Sequence, residues 1–155
     1  MIVVGDASVF IALERIGELT LLAALFGEVH VPDAVWQELS ARPGPTSSPP
    51  AWIIRHTLPK PHPVADWPEP LDAGESEAIH LTRLLAAELL LIDETAGRIV
   101  ARRLGLTVTG VVGVLLEARR RGKVTEIRKL LDRLRQSGFW LSDLVYQEAL
   151  KRAGE

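Results

Sequence analysis

The chain has no cysteine among its 155 residues, which excludes a disulfide framework and a thiolate zinc site. No apolar run approaches the roughly 20 residues that a membrane-spanning helix needs. The first residues do not form a basic segment followed by an apolar one and a small-residue cleavage site, so no leader is read there. A cytoplasmic protein with no membrane partner is the simplest expectation. Neither Gly-rich phosphate-binding signature of dinucleotide and P-loop proteins is present. A phospho-receiver would want an adjacent acidic pair after its first strand and a lysine after its last. Asp6 stands without an acidic neighbour, and Thr109-Gly110 supplies no lysine. There is no internal repeat. His56 and His62 lack metal-ligand spacing to a second histidine and read as surface residues.

Hydrophobic residues make up 47% of the chain, enough for a compact fold with a core, and the length suits one domain. Net charge is −2, so the molecule as a whole is not a polycation. Basic charge is concentrated between Glu117 and Gln136, with Arg119, Arg120 and Arg121 at its head. Such a run is either a solvated helix face or a phosphate-attracting patch beside an acidic site.

Strand and helix patterns alternate along most of the sequence. Ile2 to Val4 is a β-branched run without alternation, as expected of a strand buried on both faces. A helix follows from Ser8 to Ile16, a second from Leu19 to Phe26, then a strand over Glu28–Val31 and a helix from Asp33 to about Ala41. Between Arg42 and Pro70 lie nine of the ten prolines, which break any long helix. This stretch reads as an excursion on one domain, with Ala51–His56 as an edge strand. Helical periodicity resumes over Leu71–Ala87, capped by Asp72 or Ala73, and Glu88–Ile92 forms the next buried strand. A helix over Thr95–Leu104, a strand over Leu106–Thr109 and three C-terminal helices complete the chain. The alternation predicts an α/β fold, a central parallel sheet covered by helices on both faces.

Four carboxylates fall at related places. Asp6 and Asp93 each follow a strand, at the end where open parallel sheets collect ligands. Asp6 can be read as a cap for the helix beginning near Ser8 or as a site residue. Glu38 shares the inward stripe of Ala34 and Val35, where a carboxylate needs compensation. Glu75 lies in the first turn of its helix, where the helix dipole alone favours an acid. Four such groups in one crevice would repel one another and call for a cation. Oxygen donors without cysteine or paired histidine suit Mg²⁺ or Mn²⁺.

These residues sit in an ordered set of motifs: Val-Val-Gly-Asp6-Ala-Ser8, Val-Pro32-Asp-Ala-Val-Trp-Gln-Glu38-Leu, Leu-Asp-Ala-Gly74-Glu75-Ser-Glu77-Ala-Ile79, and Leu-Leu-Ile-Asp93-Glu94-Thr-Ala-Gly97-Arg98. Thr109-Gly110-Val-Val-Gly113 and Gly138-Phe139-Trp-Leu-Ser142 follow. The set resembles the PIN-domain ribonucleases, in particular the branch related to VapC-type toxins of toxin–antitoxin pairs. The resemblance spans residues 1–155 as one PIN-like domain, apart from the proline-rich excursion at about 42–70. It implies an Mg²⁺- or Mn²⁺-dependent endoribonuclease leaving 5′-phosphate and 3′-hydroxyl ends. Asp6, Glu38, Glu75 and Asp93 match the acidic metal site, and Ser8 the hydroxyl that supports the first aspartate or the attacking water. Two of the four acids are glutamates and Glu94 adds a carboxylate, so Glu77 or Glu94 can substitute for an assigned ligand.

Arg98 is read as a phosphate contact or an ion-pair partner, and Arg102, Arg103 and Arg119–Arg121 as guides for an RNA backbone, single-stranded or structured. A homodimer and a cognate antitoxin are the expected protein partners. The competing reading is a PIN-fold module that binds RNA or protein without cleaving.

Overall fold

The computed structural model describes residues 1–59 and 70–155. His62 and the centre of the proline-rich excursion therefore lie outside the described residues. Among the described residues, five parallel strands make one sheet: β1 (Val3–Gly5), β2 (Val29–Pro32), β3 (Ile53–His56), β4 (Leu89–Leu91) and β5 (Val108–Thr109), in the order β3-β2-β1-β4-β5. The first strand is central, and Ile53–His56 is the edge strand that the sequence suggests. Eight α-helices among the described residues connect and cover the sheet: α1 (Ala7–Arg15), α2 (Leu21–Phe26), α3 (Asp33–Ser40), α4 (Ala73–Leu84), α5 (Thr95–Arg103), α6 (Val111–Arg120), α7 (Arg128–Gln136) and α8 (Asp143–Arg152).

Alternate residues of the central strands enter two separate apolar clusters, because successive side chains of a strand point to opposite faces. Val3 and Leu91 join the larger cluster with Phe10, Leu13, Leu22, Leu115 and Leu131. Val4, Leu90 and Ile92 join the smaller one with Ile79, Leu81 and Val100. Helices α4 and α5 thus cover one face while α1, α2 and the C-terminal helices cover the other. Gly5 lets the layers close, since a Cβ there would stand 2.5 Å from Cε2 of the fully buried Phe10. Gly5 pairs with Leu91, and the Asp6 N–H donates to the Leu91 carbonyl at 2.8 Å. The ends of β1 and β4 are thereby held side by side, which decides where Asp6 and Asp93 lie.

Two sequence expectations need adjustment here. The helix expected over Leu71–Ala87 is shorter, Ala73–Leu84, with Asp72 as its N-cap. His56 is not a bare surface residue: its Nε2 lies 2.7 Å from Nδ1 of His30 on the neighbouring strand. Among the described residues no helix is long and apolar enough to cross a membrane.

Candidate active site

Helix α1 begins directly after β1, so the first free backbone N–H groups of the helix sit at the carboxyl end of the sheet. Asp6 is the N-cap and accepts from the Ser8 N–H at 3.4 Å. It is also buried, with 3% of its surface exposed, so capping and site chemistry coincide in one residue. The Ser8 hydroxyl donates to Asp6 Oδ2 at 2.9 Å and accepts from the Asp93 N–H at 3.1 Å. One hydroxyl therefore ties the two aspartate segments together. The Asp93 carboxylate is oriented in turn by the Val111 N–H, 3.0 Å from Oδ2, at the start of α6.

Asp6, Ser8, Glu38, Asp72, Asp93 and Glu94 all line one cleft of about 470 Å³ at the carboxyl edge of the sheet. Asp72 is absent from the set of acids suggested by sequence, where its capping role already accounts for it. Its Oδ1 does accept from the Glu75 N–H at 2.7 Å. Glu38 departs from expectation: the residue is exposed, not on the buried side of its helix. The spacing from Val35 gives its direction around α3, but that direction meets the open cleft instead of the core. Glu75 is buried behind the cleft, and its Oε2 has no hydrogen-bond partner. Glu94 is exposed at the N-cap of α5. Glu77 is half-buried on α4 and does not line the cleft.

Gly74 measures how tightly these acids converge. A Cβ on it would stand 3.4 Å from Glu38 Oε2 and 3.5 Å from both Asp6 Oδ1 and Asp72 Oδ1. Three carboxylates from three parts of the chain thus lie around Gly74, each within ordinary contact of an added carbon. At Gly97 a Cβ would lie 3.1 Å from Glu75 Oε2, and at Gly110 it would lie 2.1 Å from Asp93 Oδ1.

Crowding and burial show in the acidities. Desolvation pushes Asp6 up to about 6, opposed by its hydrogen bonds from Ser8. Glu75 is pushed up to about 8 by burial, and the neighbouring Asp72 and Asp6 add to the rise. Glu38 is raised by desolvation in the cleft and then by Asp72. Asp93 is raised by burial, while the Val111 N–H and Arg98 pull it down.

No ion pair within the described residues involves these four acids. Among the same residues, no group of three His, Asp or Glu side chains is placed to hold a metal ion. Magnesium does not require one, since it keeps several waters and takes one or two carboxylates together with substrate phosphate. An open set of hard oxygen donors, one of them a buried oxygen without a partner, fits such an ion.

The basic residues divide by position. Arg98 donates from Nη1 to the Ile92 carbonyl at 3.3 Å, beside Asp93. Arg119, Arg120 and Arg121 lie at the far end of α6, about 15 Å along the helix from the end that meets Asp93. There Arg120 and Arg121 pair with Glu117, and Arg121 Nη1 donates to the Leu25 carbonyl at 2.7 Å. The structure does not bring them to the cleft. It brings Arg15 and Arg42 instead, on the wall formed by α1 and the end of α3. Glu14 holds that wall, 3.8 Å from Arg42 Nη2 and accepting from the Thr46 N–H at 3.1 Å. A lone arginine in a helix and another beside prolines carry no pattern that would single them out in a sequence.

A protein-family model described as a PIN domain matches residues 2–155. No curated protein and no solved structure matches the chain.

Proposed function

The chain belongs to the PIN-domain family, and from that membership we propose that it is an Mg²⁺- or Mn²⁺-dependent endoribonuclease hydrolysing RNA phosphodiester bonds. PIN domains are in general nucleases that use divalent metal ions. The observation that carries the reading is the meeting of Asp6, Glu38 and Asp72 around Gly74, with Asp93 joined to Asp6 through one serine hydroxyl. We read residues 1–155 as a single such domain, the toxin of a toxin–antitoxin pair that acts in the cytoplasm. A homodimer and a cognate antitoxin are the partners that this reading carries with it.

Asp6, Glu38, Glu75 and Asp93 would hold the metal, with Asp72 completing the acidic wall and Glu94 at its rim. When bound, such an ion would supply Lewis acidity, for a water attacking phosphorus and for charge on the phosphoryl and leaving oxygens. The chain itself contributes fixed orientation. Ser8 holds Asp6 and the Asp93 backbone in register, and the Val111 N–H fixes the Asp93 carboxylate. A carboxylate of this wall accepts the proton that leaves the water. Arg98 stands where it can meet a substrate phosphate.

The test is cleavage of a mixed-sequence RNA pool by purified protein with Mn²⁺, read on denaturing gels. Asp6→Asn and Asp93→Asn should each reduce cleavage to background while circular dichroism stays that of the wild type. The products should carry 5′-phosphates. Absence of any cleavage that depends on these acids would overturn the nuclease reading in favour of a binding module.

A further inference from the structure

Trp140 is 84% exposed, in the loop between α7 and α8. A single exposed aromatic is ordinary on a protein surface and says little alone. Its surroundings say more. Trp140 and the half-buried Phe139 line the acidic cleft on one side. On the other they line a second hollow that runs over Arg98, Gly110 and Arg152. The indole thus stands on a ridge shared by two hollows, both of which reach Asp93.

The backbone beneath it is fixed on both sides. Gly138 has φ +94°, a conformation that favours glycine. The chain reverses there, with the Gly138 N–H donating to the Arg135 carbonyl at 3.1 Å and the Phe139 N–H to the Leu134 carbonyl at 3.0 Å. Beyond the tryptophan, Arg135 Nη2 donates to the Leu141 carbonyl and to Asp143 Oδ1, both at 2.9 Å. Ser142 then caps α8 by accepting from the Val145 N–H at 3.1 Å. None of these bonds uses the indole. The backbone that carries the aromatic ring is therefore fixed before any partner arrives, which lowers the ordering cost of binding.

The charges around the ridge select the partner. Arg15 and Arg42 line the same cleft as the carboxylates, and Arg98 and Arg152 line the second hollow. An apolar protein surface seated on Trp140 would have to desolvate these charges, of which Arg42 and Arg152 have partners in Glu14 at 3.8 Å and Glu148 at 3.4 Å, without offering them a new one. A single nucleic-acid strand has the complementary order, phosphates for the guanidinium groups and a base for the indole.

We propose, resting on the nuclease reading, that Trp140 is a substrate-positioning residue on which an unpaired base next to the scissile phosphate stacks, with Arg15 and Arg42 receiving the neighbouring phosphates. The base so held fixes the register of the strand over the acids. Paired bases present no free face to the indole, so a duplex does not gain from it.

The test uses full-length Trp140→Ala, Trp140→Leu and Trp140→Phe with fluorescein-labelled single-stranded RNA octamers and a blunt RNA duplex. Binding is read by anisotropy and cleavage with Mn²⁺ by initial rates. Alanine and leucine should each weaken single-strand binding and raise KM about tenfold, leaving kcat within about twofold, whereas phenylalanine keeps most of the affinity. Duplex binding should be the same in all four proteins. Leucine retains apolar bulk without a π face, so wild-type behaviour of Trp140→Leu would overturn the stacking role. So would a change in sedimentation of the alanine variant with unaltered RNA affinity, which would assign the ridge to a second copy of the chain. If wild type cleaves and Trp140→Ala matches it in KM, this inference fails and the nuclease reading stands. If wild type neither binds nor cleaves RNA, both fall.

Discussion

Asp6 carries two demands that oppose each other, since a buried carboxylate is costly while the metal-holding role proposed for it needs the charge. Its acidity at about 6, against an ordinary 3.8, turns this into a stability prediction. Below pH 3.8 the group is protonated in both folded and unfolded chains, and burial carries no charge penalty. As pH rises toward about 6 the unfolded chain ionises first, so unfolding releases a proton and stability falls. Above that pH the loss from this residue is complete, on the order of 3 kcal/mol. Glu75, at about 8, extends the decline toward neutral pH and beyond. Thermal melts in EDTA should therefore show the melting temperature falling between pH 4 and pH 8. Asp6→Asn, which can still cap, should flatten the acid part of that profile and melt higher than wild type at pH 7. A variant with the wild-type profile would show that Asp6 is not under this strain. At this scale the sequence is legible where a residue type is rare for its position, as with Asp6 and Asp93 at strand ends. It is silent on Asp72, whose cap role satisfies every local rule, and on the direction in which Glu38 finally points.

At the scale of elements, the glycine in the first turn of α4 is the informative one. Glycine inside a helix is less favourable than alanine by roughly 0.5–1 kcal/mol, so propensity alone recommends replacement. The three carboxylate oxygens at 3.4–3.5 Å from the added carbon supply the opposing reason. That separation is ordinary van der Waals contact, so Gly74→Ala should leave the metal-free chain as stable as wild type or slightly more so. The methyl group would occupy the point on which the oxygens converge, and Mn²⁺ affinity by isothermal titration should fall about tenfold or more. Unchanged affinity would mean that the ion sits elsewhere along the acidic wall. The strands and helices were largely readable from β-branched runs and from 3.6-residue periodicity, because both patterns record burial. The His30–His56 contact was not, since it depends on β2 and β3 being neighbours, which spacing within either segment does not encode.

For the whole molecule, net charge conceals the arrangement that matters. Arg15 and Arg42 line the cleft and Arg98 the hollow beside it, while Arg120 and Arg121, at the far end of α6, are engaged with Glu117 or the Leu25 carbonyl. A protein of net charge −2 should nevertheless bind single-stranded RNA in a salt-dependent way. With three phosphates contacted, log K should fall with log salt at a slope of about −2. Arg15→Ala should reduce that slope by about 0.7, and Arg120→Ala should leave it unchanged. Equal effects of the two substitutions would place the RNA path along the far end of α6. The sequence showed a dense basic run and drew attention to it, but three-dimensional proximity to the acids belongs to two isolated arginines. Density along the chain and density in space are different quantities.

The final residue has a consequence for how the aromatic ridge behaves. Glu155 accepts from the Ile127 N–H at 2.8 Å and the Arg128 N–H at 3.2 Å, closing the open end of the α7–α8 hairpin. Midway, the Tyr146 hydroxyl donates to Asp132 at 2.7 Å, and Arg135 lies 4.4 Å over the Tyr146 ring. With Arg135 fastened to Leu141 and Asp143 at the other end, the hairpin is clasped at three levels. Such a unit opens as a body, and both helices should share one hydrogen-exchange rate. Loosening the clasp at Glu155 would then be felt at the tip of the hairpin, one helix length away, as a loss of order in the loop that carries Trp140.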